Sequence, residues 1–203
     1  MEFWNSLLTE KSWKLLQKLR KEYNFILIGG WAVYLLAKQQ KSKDIDIVVD
    51  ILELQKLKKE NLSKNDSLKK YEIKLEETDI DIYVSHFSKL PIPPEELKKY
   101  AVKVEGFNVA SPEALLILKQ GAEYNRENSV KGEKDKLDIL SILFFSDFDF
   151  RKYKMLLSKY SLIGYIDRLI SLLRNFRDYD SLGFSPRELK LKKEEILAIL
   201  RTL

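Results

Sequence analysis

Four aspartates occur as two copies of one pattern. Asp44-Ile45-Asp46-Ile47 and Asp79-Ile80-Asp81-Ile82 each alternate acidic and apolar residues, and each continues into an apolar stretch. Successive side chains of a strand point to opposite faces, so Asp44 and Asp46 share one face while Ile45, Ile47 and Val49 share the other. Asp79 and Asp81 stand in the same relation to Ile80, Ile82 and Val84. If the strands are neighbours, three or four carboxylates crowd together, and their repulsion is relieved by a cation. The chain has no Cys and only His86, so sulfur sites and imidazole clusters are excluded and any metal must be held by oxygen. Hard oxygen donors suit Mg²⁺ or Mn²⁺, and paired ions of this kind can clamp the attacking and leaving oxygens of an in-line phosphoryl displacement. The alternative is that the aspartates face solvent on a half-exposed sheet.

A second pattern lies upstream. Phe25-Ile26-Leu27-Ile28 is a short apolar run stopped by Gly29-Gly30, and Trp31 to Lys38 follows without a breaker. A strand entering a glycine turn that opens a helix presents backbone N–H groups and the positive end of a helix dipole, which together cradle phosphate. A glycine pair alone is usually only a turn. The combination with Ser42-Lys43-Asp44-Ile45-Asp46 on the next strand is more specific.

Downstream, Ser111 is a good helix cap and Pro112 suits the first helical position. On that helix Leu118, Lys119 and Ala122 all fall within roughly 60° of Leu115, placing Lys119 on the core-facing stripe. Its ammonium could snorkel to water, or reach a phosphate. Asp135 and Asp138 are three apart and share a face with Ile139 and Ile142 on the next helix. With Lys119 they form either a salt bridge tying two helices together or part of a site.

The surrounding elements follow from periodicity. The first twenty-odd residues suit one amphipathic helix or two short ones. Residues 51–60 read as helix and 61–70 as a polar loop. Tyr71 to Glu76 and Asp79 to Val84 read as a strand pair ending before the Pro91, Pro93 and Pro94 cluster, and Val102 to Val109 as a hairpin around Gly106. From Ser111 onward only helical periodicity remains. The expected fold class is α/β (α+β), a mixed β-sheet flanked by helices in residues 1–110 and an all-helical domain in 111–203. Net charge is +5, which favours an anionic partner but also suits a solvated lysine-rich surface. The first residues lack a signal-peptide pattern, and no apolar stretch is long enough to span a bilayer, so a cytoplasmic protein with no membrane partner is expected.

Gly29-Gly30-Trp31-Ala32-Val33-Tyr34-Leu35 followed by Ser42-Lys43-Asp44-Ile45-Asp46-Ile47 resembles the signature of the DNA polymerase β-like nucleotidyltransferase superfamily. The resemblance implies a nucleotidyltransferase domain in 1–110. It implies nucleoside triphosphate as substrate, Gly29, Gly30 and Ser42 as its contacts, and Asp44, Asp46 and Asp81 as catalytic ligands of Mg²⁺ or Mn²⁺, with Asp79 the alternative third ligand. Ser111-Pro112-Glu113 through Lys119, with Lys134-Asp135-Lys136-Leu137-Asp138, is similar to the AbiEii-like, toxin-type branch, in which a lysine and a later aspartate complete the site. That match assigns Lys119 and Asp138 to catalysis and Lys119 and Asp135 to nucleotide binding. Gln40 and Lys134 stand where arginines are common. The implied reaction is transfer of a nucleoside monophosphate to a hydroxyl acceptor such as tRNA, another RNA or a protein, and the implied partner is a cognate antitoxin. The competing reading is a non-catalytic binding module, or an antitoxin-like partner, with the same fold. Less specific are Trp31 and Tyr34, which either stack a base or fill the core; His86, a strand-end surface residue; Phe144, Phe145, Phe148 and Phe150, which would pack a helical hairpin; and Arg168, Arg174 and Arg177, which either track a polynucleotide or are merely solvated.

Overall fold

The computed structural model describes residues 5–58, 61–75, 77–127 and 129–203. An N-terminal helix α1 (Ser6–Glu22) leads into β1 (Ile26–Ile28), α2 (Gly29–Ala37), β2 (Ile45–Val49) and α3 (Ile51–Leu57). Three strands follow, β3 (Ser63–Asn65), β4 (Lys70–Lys74) and β5 (Asp79–Val84), then the short α4 (Pro94–Leu97) and the hairpin β6 (Ala101–Val104) and β7 (Phe107–Ala110). The rest is helical: α5 (Pro112–Asn125), α6 (Val130–Phe145), α7 (Phe150–Lys159), α8 (Tyr165–Asn175) and α9 (Pro186–Leu200). Among the described residues no helix is long and apolar enough to cross a membrane.

The strands form one mixed sheet in the order β3-β4-β5-β2-β1-β7-β6. The observed fold is thus the expected one, a mixed sheet flanked by helices with a helical C-terminal segment. Alternation placed the central strands correctly: Ile45, Ile47, Ile80 and Ile82 are buried on one side while Asp46 and Asp81 stay half-buried on the other. Helix starts follow the caps, with the Ser111 hydroxyl accepting from Ala114 N and the Ser129 hydroxyl from Gly132 N. Helix α2 packs against β1 and β2 on one side and against α5 and α6 on the other, so it links the sheet to the helices that carry Lys119 and Asp138.

One expectation is corrected. The stretch 61–70 is not simply a loop, because Ser63–Asn65 forms β3 and pairs antiparallel with β4. The Asn65 side chain accepts from Leu68 N at 2.9 Å and closes the turn. This edge strand is polar and mostly exposed, so it carries no alternation that periodicity could detect. The strand expected at 71–76 is β4, displaced by a residue or two; Glu76, like Lys59 and Glu60 of the expected helix, lies outside the described residues.

Candidate active site

Strand register decides which carboxylates meet. Ile28 pairs with Asp46, Asp46 with Asp81, and Asp81 with Glu72, across four successive strands. Asp46, Asp81 and Glu72 therefore form a row on one sheet face, with neighbouring strands about 4.8 Å apart. Asp44 sits just before β2, its Oδ1 accepting from Asp79 N at 3.5 Å. Asp81 lines the same cleft as Asp44 and Asp46, whereas Asp79 does not and pairs instead with Lys74 at the start of β5. Of the two candidates for third carboxylate, Asp81 is the one the fold brings to the pair.

The glycine turn is built against this row. Gly29 has φ +69°, and a Cβ there would collide with the Asp46 carboxylate, so both backbone conformation and space exclude a side chain. A Cβ on Gly30 would lie 2.5 Å from Ser42 Oγ and 3.0 Å from Lys134 Nζ. Ser42 Oγ itself donates to Asp44 O at 3.1 Å. Ile28 caps α2 without any side-chain hydrogen bond, so the first N–H groups of α2 keep the anion-attracting character of an uncapped helix start.

The opposite wall is cationic and comes from α5, α6 and the loop between them. Lys119 Nζ lies 2.6 Å from Asp138 Oδ2 and 3.2 Å from Asp135 Oδ1. Lys134 Nζ lies 2.9 and 3.0 Å from the two Asp138 oxygens, and Arg126 Nε 2.6 Å from Asp135 Oδ2. Lys131 Nζ is 3.8 Å from Asp44 Oδ2. The cleft between the walls, lined by Asp44, Asp46, Asp81, Lys119, Lys131 and Lys134 among others, encloses about 60 Å³. The interhelical salt bridge and the placement of Lys119 in the cleft are thus both realised by one side chain.

Electrostatics within the cleft is unbalanced at the aspartates. Burial, with the charges of Asp81 and Asp44 added, pushes the Asp46 carboxyl up to about 6 against the pull of Lys119 and Lys70. Burial likewise raises Asp81, although Lys70 opposes it. Asp138 goes the other way: despite burial, Lys119 and Lys134 hold it below the usual carboxylate range. Burial disfavours the Lys119 ammonium, but Asp138, Asp135 and Asp46 more than compensate and its pKa is raised. Lys134 is lowered, by burial first and then by Lys119, with Asp138 opposing.

These residues fit a hard divalent cation in donor chemistry. The donors are all oxygen, and the aspartates stand together on one buried side of the sheet, where burial foremost raises Asp46 and Asp81. Among the described residues no three acidic or imidazole side chains converge closely enough to coordinate an ion together. Lys70 accounts for part of this: its ammonium lies 2.6 Å from Asp81 Oδ2 and 3.1 Å from Glu72 Oε1, so a lysine engages two carboxylates of the row.

Sequence reasoning missed Lys70, Glu72, Arg126 and Lys131. Lys70 and Glu72 are two apart on β4 and so share the face of Asp81, and Arg126 is seven residues beyond Lys119 on the same helical stripe, which are signals that spacing could have supplied. Trp31 is core, its Nε1 donating to Ser12 Oγ at 2.8 Å, and Tyr34 packs edge-on against it. His86 is exposed. The phenylalanines pack as expected, Phe145 stacking on Phe184. Arg168 is not a free cation, since Glu123 and Glu127 pair with it.

No family model matches the chain, and neither does any curated protein. Among solved structures, a Helicobacter pylori protein proposed to be a nucleotidyltransferase superposes with TM-score 0.54 at 17% identity, over 97% of this chain and 95% of its own. The protein JHP933, also from Helicobacter pylori, superposes with TM-score 0.52 at 16% identity, over 96% and 92%. At these identities the similarity is one of fold, shared along nearly the whole chain.

Proposed function

We propose that this chain is a nucleotidyltransferase that moves a nucleoside monophosphate from a nucleoside triphosphate to a hydroxyl acceptor, with Mg²⁺ or Mn²⁺ as cofactor. The observation that carries the reading is the pairing of Asp46 with Asp81 directly beside the Gly29-Gly30 turn. It sets a carboxylate row, an open helix N-terminus and a cationic wall around one small cleft. Asp44, Asp46 and Asp81 would hold the metal, which when bound neutralises the triphosphate and activates the attacking oxygen. The backbone at Gly29 and Gly30 receives phosphate oxygens, and Lys119 and Lys134 face them from the other wall as fixed positive charges. The acceptor oxygen bonds to the α-phosphorus, the bond from that phosphorus to the bridging oxygen breaks, and pyrophosphate leaves. The acceptor's proton passes to the carboxylate row, in which Asp81 stands beside Asp46. Asp135 and Asp138 keep Lys119 and Lys134 aimed. A cleft of about 60 Å³ admits phosphate groups rather than a whole nucleotide, so base and ribose lie outside it.

The Ser111 to Lys119 and Lys134 to Asp138 segments support placing the chain in the AbiEii-like, toxin-type branch, with RNA as acceptor and a cognate antitoxin as partner. The test is thermal stabilisation by ATP, CTP, GTP and UTP, each with and without Mg²⁺, followed by transfer of α-phosphate label to total RNA or protein. Stabilisation by at least one triphosphate should require Mg²⁺ and vanish in the Asp44→Ala/Asp46→Ala variant. Metal-independent binding that survives in that variant would overturn the reading.

A further inference from the structure

A surface cavity of about 540 Å³ opens between the C-terminal end of α8 and the side of α9. Its floor is apolar and aromatic, with Phe176, Tyr179, Leu189 and Leu197, and Arg174, Arg177, Lys190 and Lys193 stand around it. The single acid, Glu194, lies 3.9 Å from Lys190. Among the described residues Arg174, Arg177 and Lys193 have no carboxylate within ion-pairing distance. Lys193 is half-buried, and burial together with Arg177 lowers its pKa, so cation is crowded on cation here. Helix capping explains part of the cluster: Lys193 Nζ and Arg177 Nη1 donate to Phe176 O at 2.8 and 2.9 Å. It does not explain the exposed Arg174, nor the open aromatic floor.

A second cavity, of about 620 Å³, shares Phe176 and Arg177 with the first and reaches Glu127, the neighbour of Arg126 in the cleft. Its acids are already engaged. Arg168 takes Glu123 and Glu127 at 2.8 and 3.2 Å, Lys136 takes Glu133 at 2.8 Å, and Asp178 accepts from Ser181 N at 3.2 Å. With Glu123, Glu127, Glu133 and Asp178 against Lys136, Arg168 and Arg177, this second cavity is slightly acidic, and the positive charge without a carboxylate partner gathers around the first.

We propose that this first cavity seats a single-stranded polynucleotide, the acceptor of the transfer, its phosphates on Arg174, Arg177 and Lys193 and its bases against Phe176 and Tyr179. The inference deepens the transferase reading and rests on it. Unpaired cations around ring faces match the alternation of phosphate and base in a single strand, which binds by charge and stacking without sequence preference. The arginines noted in the sequence therefore divide: Arg168 is structural, while Arg174 and Arg177 contact the ligand.

The test is fluorescence anisotropy of the full chain with a labelled single-stranded RNA dodecamer of mixed sequence. Affinity should fall with salt with a logarithmic slope near −2, as expected for roughly three phosphates at about 0.7 each. Arg174→Ala, at an exposed position that no fold contact depends on, should weaken binding about fivefold and reduce the slope by about 0.7. Tyr179→Ala should weaken it about tenfold and Tyr179→Phe should not. Lys103→Ala, on exposed β6, should have no effect. Wild-type affinity in both Arg174→Ala and Tyr179→Ala would overturn the proposal, as would poly-glutamate competing as well as unlabelled RNA. Stabilisation by Mg²⁺ and triphosphate is measured on the same variants and should be unchanged. Its absence in the wild type would overturn the transferase reading separately.

Discussion

Replacing Lys70 by Met removes an ammonium while keeping most of the side-chain stem, and it probes the metal assignment from an unexpected side. In the structure this ammonium bridges Asp81 and Glu72 at 2.6 and 3.1 Å, with the three side chains 10 to 19% exposed. A charge-assisted hydrogen bond contributes about 1.5–3 kcal/mol, and partial solvent access reduces the pair of contacts to about 2 kcal/mol together. Without divalent metal the variant should therefore melt about 4–8 °C lower, at 2–4 °C per kcal/mol for a chain of this size. With Mg²⁺ the direction reverses. Lys70 competes with the ion for Asp81, so removing it should tighten Mg²⁺ binding about tenfold, using about 1.4 kcal/mol of the released interaction. Melting curves in chelator, together with calorimetric titration of Mg²⁺, read both quantities. A variant that is destabilised yet binds Mg²⁺ no more tightly than wild type would refute the reasoning and remove Asp81 from the metal site.

Gly29→Ala should displace the Asp46 carboxylate and strain a left-handed backbone, lowering stability by about 1–3 kcal/mol and abolishing Mg²⁺-dependent triphosphate stabilisation; retained stabilisation would mean that the turn only connects β1 to α2. Lys119→Met leaves Asp138 with Lys134 and Asp135 with Arg126, so it should cost about 2 kcal/mol, less than the 3–5 of an unsupported buried pair, while label transfer drops about a hundredfold. A destabilised but fully active variant would confine Lys119 to bracing. The Asp46 carboxyl, raised from 3.8 to about 6, binds a proton in the folded chain that the unfolded chain has already lost between those values. Metal-free stability should accordingly fall as pH rises from about 4 to about 6 and level off above, by at most about 3 kcal/mol at 1.4 per unit. Comparison of melting temperatures with Asp46→Asn isolates this contribution, and an Asn variant with the same pH profile as wild type would contradict it.

The central strands, the glycine turn and the helix starts were legible in the sequence because each depends on interactions within a few residues. Alternation separates Asp46 from Ile45 and Ile47 whatever lies beside the strand, and Ser111 caps its helix with its own hydroxyl. The edge strand β3 was not legible, since a solvated strand has no face to bury and pairs only through its backbone. Nor could periodicity say which strands are neighbours. Register alone placed Asp46 beside Asp81 rather than Asp79, and it added Glu72 to the row with Lys70 locked onto it. Lys119 could be assigned to an inward stripe from spacing, but whether that stripe met a helix or a phosphate site depended on how α5 and α6 cross α2, and the packed structure puts both around one ammonium. The sequence by itself determined the types of the chemical groups and the faces they occupy, because those follow from local backbone geometry. Which of those faces meet was decided only by tertiary structure, because strand pairing and helix packing join residues far apart in the chain, and charge balance within the cleft depends on distances that no local pattern encodes.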